Sequence, residues 1–252
     1  MLTRLVTAAL AAAIVAGLSS SLIQAFTTTP MIIQAEQYEG GGHAAGFGSF
    51  HLAHHTDQGT GVARPPLVLT DAGEAVDEWA PEDGLERTLF TSLAATGTYF
   101  GLALVLLGAM ILANARIDAR QGLIWGAAAF AATGLAPALG LSPELPGAAA
   151  ADLAARQYWW LGTVIATAAG LFLALRVSTI WAIGLGIALM AAPHVIGAPH
   201  PEAFTSQVPS ELSGHFAAAS LVVSAIGWAL AGSVAGYTWQ RLAAKEQDPA
   251  YG

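Results

Sequence analysis

The chain has no cysteine among its 252 residues, and only 10% of its residues are charged. The absence of cysteine excludes disulfides, thiolate metal ligands, cysteine nucleophiles and iron–sulfur clusters. Soluble domains carry about a quarter charged residues, so this low fraction, together with 55% hydrophobic residues, indicates an integral membrane protein. The net charge of −8 argues against nucleic acid as a partner.

Motifs of common catalytic sites are missing as well. The phosphate-binding pattern G-x-x-x-x-G-K-[ST] does not occur, so the chain is not expected to hydrolyse ATP by itself. There is no Gly-x-Ser-x-Gly elbow, and Ser213 and His215 are too close in sequence to act as nucleophile and base. No charge lies deep within a hydrophobic run, which argues against a buried proton relay. We therefore expect a protein that is not an enzyme.

Six hydrophobic runs predict membrane-spanning helices, because about 20 apolar residues suffice to cross a bilayer. The predicted spans are residues 5–33, 88–113, 121–141, 157–176, 177–195 and 211–239. The count is five if the first run or the short fifth run does not cross. A cleaved signal peptide is the alternative for the first run, but a cut after Ala25 would place Ile23 where a small residue is needed. The predicted fold class is an all-α, polytopic membrane helix bundle.

Residues 40–87 differ from the spans, because they are rich in glycine, proline, histidine and acidic residues. This composition predicts an irregular external loop. If both termini are cytoplasmic, six of the nine basic residues lie inside and fourteen of the seventeen acidic residues lie outside. This distribution agrees with the positive-inside rule. All seven histidines then lie outside or at the outer helix ends.

Each of the three outward-running spans carries a proline near its outer end, namely Pro30, Pro137 and Pro193. A helix proline frees the carbonyl four residues earlier, and broken helices at membrane depth often line cavities. The pattern predicts an outward-facing vestibule, and the alternative is that these prolines simply end helices.

Pairs of glycines four residues apart allow helices to approach closely in lipid and support a compact bundle. These pairs are Gly97 and Gly101, Gly122 and Gly126, and Gly232 and Gly236.

The segment between the last two spans, residues 193–216, is PHVIGAPHPEAFTSQVPSELSGHF and carries several candidate metal ligands. Imidazole nitrogens and carboxylate oxygens suit divalent zinc, cobalt, nickel and copper. Glu211 and His215 are four apart at the start of a helix and share a face. The alternative is that histidines at helix ends serve as interfacial or capping residues. The candidate ligands of this group are His194, His200, Glu211 and His215, with Glu36 and Glu39 following the first span.

A second group of histidines, His51, His54 and His55, lies in the external loop in the tract HLAHH. Short histidine tracts are typical of weak metal-collecting segments, and the alternative is a solvated loop. The acidic run from Asp71 to Glu86 would raise the local cation concentration.

Four stretches carry a likeness to a known family. They are EQYE at residues 36–39, WAPEDGLERTLFT at 79–91, LAPALGLSPELPGAAAADLAARQYWW at 135–160 and PHVIGAP at 193–199. Together they resemble the CbtA family of predicted cobalt transporter subunits, over nearly the whole chain. The resemblance implies a bacterial inner-membrane protein for cobalt uptake, associated with cobalamin-linked regulation. It also implies a small single-span CbtB-like partner with a histidine-bearing tail.

These observations lead us to expect a divalent transition-metal uptake transporter, or a subunit of one, that captures its ion on the periplasmic face. Cobalt is the expected substrate, with nickel or zinc as alternatives, and no tightly bound cofactor is expected. One rival is a membrane subunit that binds metal or assembles a complex without transport, which the absence of buried charge favours. Another is an electron carrier with haem between His194 and His215. The sequence leaves assembly of several copies open.

Overall fold

In this computed structural model, which describes residues 1–44, 81, 84–177, 179–202 and 206–246, all regular secondary structure is helical. The α-helices are α1 Leu2–Phe26, α2 Thr28–Ala44, α3 Leu85–Leu112, α4 Ala119–Phe130, α5 Ala136–Ala138, α6 Leu153–Phe172, α7 Ile180–Ile196 and α8 Ser210–Glu246. A π-helical turn, Ala131–Leu135, joins α4 to α5, and a second, Leu173–Val177, extends α6. The predicted all-α class is confirmed for this part of the chain.

Among the described residues, four helical segments are long and apolar enough to cross a membrane: α1, α3, α8, and α6 with its π turn. The apolar helix α7 is shorter, with 17 residues, and the α4–α5 run is interrupted by a π turn. Large apolar side chains remain exposed on the bundle surface, for example Leu93 and Val105, each 70% exposed. Such a surface is expected where helices contact lipid. These features fit a helical membrane bundle, and the count of six or five spans stays a prediction.

Ion pairs near the helix ends show which ends lie together. Arg4 at the start of α1 pairs with Glu246 at the end of α8, and its guanidinium lies 5.2 Å from the ring centroid of Trp239. Arg87 at the start of α3 pairs with Glu36 of α2. The start of α1 and the end of α8 therefore share one end of the bundle, here called the terminal end. The opposite end, with Glu36 and Arg87, is called the loop end.

Small residues form the centre of the bundle. One face of α1 is buried against α3 and α8, through Ala8, Ala9, Ala12, Ala13, Ala16, Gly17, Ser20 and Ser21. Toward the terminal end, buried Ala103 and Leu107 of α3 and Ala235 of α8 complete an apolar cluster with this face. Because these side chains are small, the helix backbones lie close together, and dispersion contacts replace bulky interdigitation.

Glycines bring α4 and α8 into backbone contact. A Cβ atom added at Gly122 would overlap the carbonyl oxygen of Gly232, and a Cβ atom added at Gly232 would overlap that of Gly122. A Cβ atom added at Gly126 would overlap the Trp228 carbonyl oxygen, and one added at Gly236 would overlap that of Asp118, the residue before α4. The predicted close packing is confirmed for these two pairs.

The third glycine pair makes no such contact. Within the described residues, no atom lies within 4 Å of a Cβ atom added at Gly97 or Gly101, and both glycines are exposed on α3. The spacing of four is present, but this face of α3 meets no other described part of the chain.

Candidate functional site

The first hydrophobic run breaks at Thr27, between α1 and α2. The Thr27 hydroxyl donates to the Ile23 carbonyl at 2.7 Å, and the Thr27 backbone N–H donates to the Gln24 carbonyl at 3.1 Å. Pro30 lies in the first turn of α2, where a missing N–H is tolerated. The first run is therefore two helices, with Pro30 near the start of the second. The break precedes the proline because proline starts a new helix more readily than it continues one.

A cavity of about 740 Å³ lies beside this break, between α1, α2, α3 and α8, and is called the α3 cavity. Its lining on α3 extends from Arg87 to Leu102, which corresponds to about 22 Å of helix at 1.5 Å per residue. Side-chain hydroxyl and amide groups line it, from Gln24, Thr28, Thr29, Thr91, Thr98, Tyr99, Ser220 and Ser224. Apolar side chains such as Ile32, Phe216 and Val223 make up most of the remaining lining, so the oxygen groups are spread over a largely apolar wall.

The polar lining ends toward the terminal end at Tyr99. The Ser20 hydroxyl donates to the Tyr99 hydroxyl at 3.2 Å, and a Cβ atom added at Gly227 would overlap the same Tyr99 hydroxyl. Leu102 is the last α3 residue that lines the cavity, and the buried apolar residues Ala103 and Leu107 follow it. In the described structure, the polar groups of the α3 cavity therefore lie toward the loop end. Apolar packing closes the cavity toward the terminal end.

An ion pair occupies the loop end of the cavity. Both carboxylate oxygens of Glu36 accept hydrogen bonds from Arg87, at 2.9 and 3.3 Å from the two terminal guanidinium nitrogens. Both side chains are partly exposed and line the cavity. Glu36, a predicted metal ligand, is therefore already paired, and a metal ion would compete with the Arg87 cation for its oxygens.

The elements that carry three predicted ligands meet near this ion pair. Ala35 of α2, Leu145 and Val208 form a buried cluster, against which Leu212 and Phe216 of α8 pack. Glu36 follows Ala35 in sequence, Glu211 precedes Leu212, and His215 precedes Phe216. α8 begins at Ser210, so Glu211 and His215 lie at the start of a helix as predicted. The fold thus brings these segments to the same end, with Glu211 and His215 exposed.

His194 lies at the loop end of α7, beside α6. Its ring is edge-on to that of Trp159, with 5.9 Å between centroids, and the Trp159 indole N–H donates to the Pro193 carbonyl at 3.2 Å. The helix continues through Pro193 to Ile196. Pro193 therefore lies within the last turn of α7, where a proline disturbs few hydrogen bonds.

The predicted metal ligands do not form a group of three within the residues that the structure describes. His194 is partly buried, whereas His200, Glu211 and His215 are exposed. Glu39 lies within the range of α2, but the structure does not describe its side chain. His51, His54 and His55 lie outside the described residues. The metal site stays a prediction.

A second cavity, of about 570 Å³, lies between the π turn Ala131–Leu135, α6 and α8, and is called the α6 cavity. The Thr133 carbonyl, four residues before Pro137, accepts a hydrogen bond from the Trp160 indole N–H at 3.3 Å. A carbonyl predicted to be freed by proline is thus satisfied by a tryptophan. Ser220 and Ser224 line both cavities, so α8 is their shared wall.

Sequence reasoning missed the hydroxyl lining of the α3 cavity. Its signal is present in the spacing, because Thr91 and Thr98 are seven residues apart on α3 and Ser220 and Ser224 are four apart on α8. Both spacings place the side chains on one helix face. Polar residues that share one face of an apolar helix indicate a cavity or a helix contact rather than lipid.

Comparison with known proteins gives one result. A family described as "Probable cobalt transporter subunit (CbtA)" matches residues 2–240 of the chain. No curated protein and no solved structure matches it.

Proposed function

The chain belongs to the CbtA family of probable cobalt transporter subunits, and on this premise we propose that it admits divalent cobalt into the cell through the α3 cavity. Nickel and zinc are the alternatives, since they accept the same imidazole and carboxylate ligands. The observation that carries the proposal is the α3 cavity itself. It carries hydroxyl and amide groups in a largely apolar lining and follows about 22 Å of α3 from the loop end.

Capture takes place at the loop end, which faces the periplasm in this proposal. The exposed side chains of His200, Glu211 and His215 are open to water there, and His194 lies at the end of α7. Imidazole and carboxylate ligands favour a borderline transition metal over calcium or magnesium. Glu36, Glu39, His51, His54 and His55 complete the proposed set of collecting ligands.

Transit requires ligands that release the ion. The neutral hydroxyl and amide groups of the α3 cavity bind a hydrated cation more weakly than a histidine cluster would, and conduction needs binding that is favourable but not tight. Affinity alone would favour copper in the Irving–Williams order. Selection of cobalt therefore depends on geometry or on metal availability. Cobalt is the cargo here, and no tightly bound cofactor is proposed.

The orientation follows from charge. The terminal end holds Arg4 near the start of α1, and Arg241 and Lys245 near the end of α8. In the alternating topology, Arg116, Arg120 and Arg176 between the spans belong to the same side. Basic residues collect on the cytoplasmic side of bacterial inner-membrane proteins. We therefore assign the chain to the inner membrane as a multi-pass protein with cytoplasmic termini.

A transporter subunit acts with partners. We propose a small single-span CbtB-like membrane protein as the first of these, and assembly of several copies of the chain as a further arrangement. A link to cobalamin-dependent regulation belongs to the same proposal.

One observation favours a second candidate function. The apolar cluster around Leu107 closes the bundle below the α3 cavity in the described structure. A closed floor suits a membrane subunit that binds metal or assembles a complex without moving the ion.

Cobalt uptake by cells that express the chain with its partner tests the capture site. We expect His194→Ala combined with His215→Ala to raise the KM for cobalt by about tenfold, the loss typical of a weakened metal shell. The control is Gln207→Ala, an exposed residue of the same end without metal-binding chemistry. Unchanged uptake by the double variant, at equal expression, would remove both histidines from the site.

Proteoliposomes that contain only this chain distinguish the two candidate functions. Accumulation of radioactive cobalt in the lumen supports transport by the chain itself. Binding at the surface without accumulation supports the second candidate.

A further inference from the structure

We propose that the α6 cavity binds the headgroup of phosphatidylethanolamine, a zwitterionic phospholipid, from the leaflet at the loop end. This proposal is independent of metal uptake, because the charged residues that carry it do not line the α3 cavity.

The α6 cavity is open to the lipid side of the bundle. Leu153, Trp160 and Leu161 line it and are 64%, 41% and 49% exposed. In a bilayer such leucines contact acyl chains, since no described part of the protein covers them. The occupant therefore reaches the cavity from the bilayer and brings an apolar portion with it.

The cavity lies at the depth of lipid headgroups. It is bounded by the end of α5 and the start of α6, and Trp160 at its side is of the residue type that collects at the membrane–water interface. Ser142 and Gln157 add hydrogen-bonding groups to the lining. A phospholipid that reaches this depth presents its phosphate and its headgroup amine to these side chains.

Two opposite charges line the cavity side by side. A terminal nitrogen of Arg156 lies 2.6 Å from a carboxylate oxygen of Glu144, and both side chains are partly exposed. The Arg156 Nε is itself buried, with no acceptor among the described residues, so a ligand in the cavity meets the guanidinium at its terminal nitrogens. Guanidinium groups match phosphate oxygens in a two-point geometry. The neighbouring carboxylate of Glu144 can accept hydrogen bonds from a primary ammonium group.

This charge pattern selects among headgroups. Phosphatidylethanolamine has an anionic phosphate for Arg156 and a hydrogen-bonding ammonium for Glu144. Phosphatidylglycerol offers no cation, and its net negative charge is repelled by the carboxylate. Phosphatidylcholine carries a quaternary ammonium, which cannot donate a hydrogen bond. The side-by-side acid and base therefore favour the aminophospholipid.

Native mass spectrometry of the full chain in mild detergent tests this selection, with dioleoyl forms of the three lipids added in equal amounts. We expect phosphatidylethanolamine to be retained about fivefold over each competitor, the ratio that corresponds to one partly exposed charge contact. Equal retention of the three lipids, preference for phosphatidylglycerol, or a lipid-free dimer that covers this face would overturn the proposal.

Variants separate the two charges. Glu144→Gln should shift retention toward phosphatidylglycerol, because only the cation remains, and Arg156→Gln should abolish the preference for either lipid. The combined variant removes both charges and leaves no unpaired ion, so it preserves folding while losing selectivity. The control is Arg241→Gln, an exposed arginine at the terminal end. A Glu144→Gln variant with the selectivity of the wild type would contradict the assignment.

Discussion

The contact between Gly122 and Gly232 predicts a large stability effect from a single methyl group. In Gly232→Ala, the new Cβ atom would lie 2.9 Å from the carbonyl carbon of Gly122, and closer still to its oxygen. Ordinary van der Waals contact begins at 3.4 Å. The obstacle is backbone, which cannot rotate away as a flexible side chain can. The helices α4 and α8 must therefore move apart by at least about 0.5 Å, the difference between these two distances.

The magnitude follows from two opposing terms. Overpacking of a close contact costs about 1–3 kcal/mol, whereas replacement of a helix glycine by alanine gains about 0.5–1 kcal/mol. We expect Gly232→Ala to lower the free energy of unfolding by about 1–2 kcal/mol. Gly122→Ala should cost a similar amount. The double variant should cost less than the sum, because one separation of the helices relieves both contacts.

The chain supplies a matched control for this prediction. Gly101→Ala makes the same chemical change at a helix position where no described atom lies within 4 Å of the added Cβ atom. This variant should gain the propensity term alone and be about 0.5–1 kcal/mol more stable than the wild type. The measurement is unfolding in mixed micelles by titration with sodium dodecyl sulfate, followed by helical circular dichroism. If Gly232→Ala proves as stable as Gly101→Ala, the close approach of α4 and α8 is refuted.

Four further substitutions test the site and its supports. Arg87→Gln frees the Glu36 carboxylate at the mouth of the α3 cavity. The KM for cobalt uptake should then fall by up to about fivefold, the effect of one partly exposed charge. An unchanged KM would show that Glu36 does not meet the ion. Asp118→Ala removes the side chain that accepts the Gln121 N–H at the start of α4, and should cost about 1 kcal/mol of unfolding free energy in the same titration; no loss would show that this cap contributes nothing. Gly227→Ala should destabilise the bundle through overlap with the Tyr99 hydroxyl, and Tyr99→Phe should restore part of the loss. Absence of rescue would show that the Tyr99 hydroxyl is not the limiting contact.

The sequence predicted which small residues share a helix face, but not which of these faces contacts another helix. The spacing of four identified Gly122 with Gly126 and Gly232 with Gly236 as contact sites, and the structure places them in backbone contact. The same spacing at Gly97 and Gly101 faces away from the described chain. Sequence spacing shows that two small residues share a face, but the face that meets protein is decided by the packing of the other helices.

The prolines also predicted local structure only in part. Pro30 and Pro137 mark places where the regular helix changes, at Thr27 and at the π turn that precedes α5. Pro193 does not, because α7 ends within one turn after it. The partner of Glu36 could not be predicted, since Arg87 is 51 residues away in sequence and meets it only through the packing of α2 and α3.

Entry of cobalt through the α3 cavity is tested most directly by closing that cavity with a thiol reagent. The chain has no cysteine, so Ala95→Cys, in the cavity lining, and Gln207→Cys, exposed at the loop end, each carry a single thiol. Intact cells are treated with a membrane-impermeant methanethiosulfonate, and the uptake of radioactive cobalt is measured. We predict that modification stops uptake by Ala95→Cys and leaves uptake by Gln207→Cys unchanged. Full uptake after complete modification of Ala95→Cys would contradict passage of the ion through this cavity.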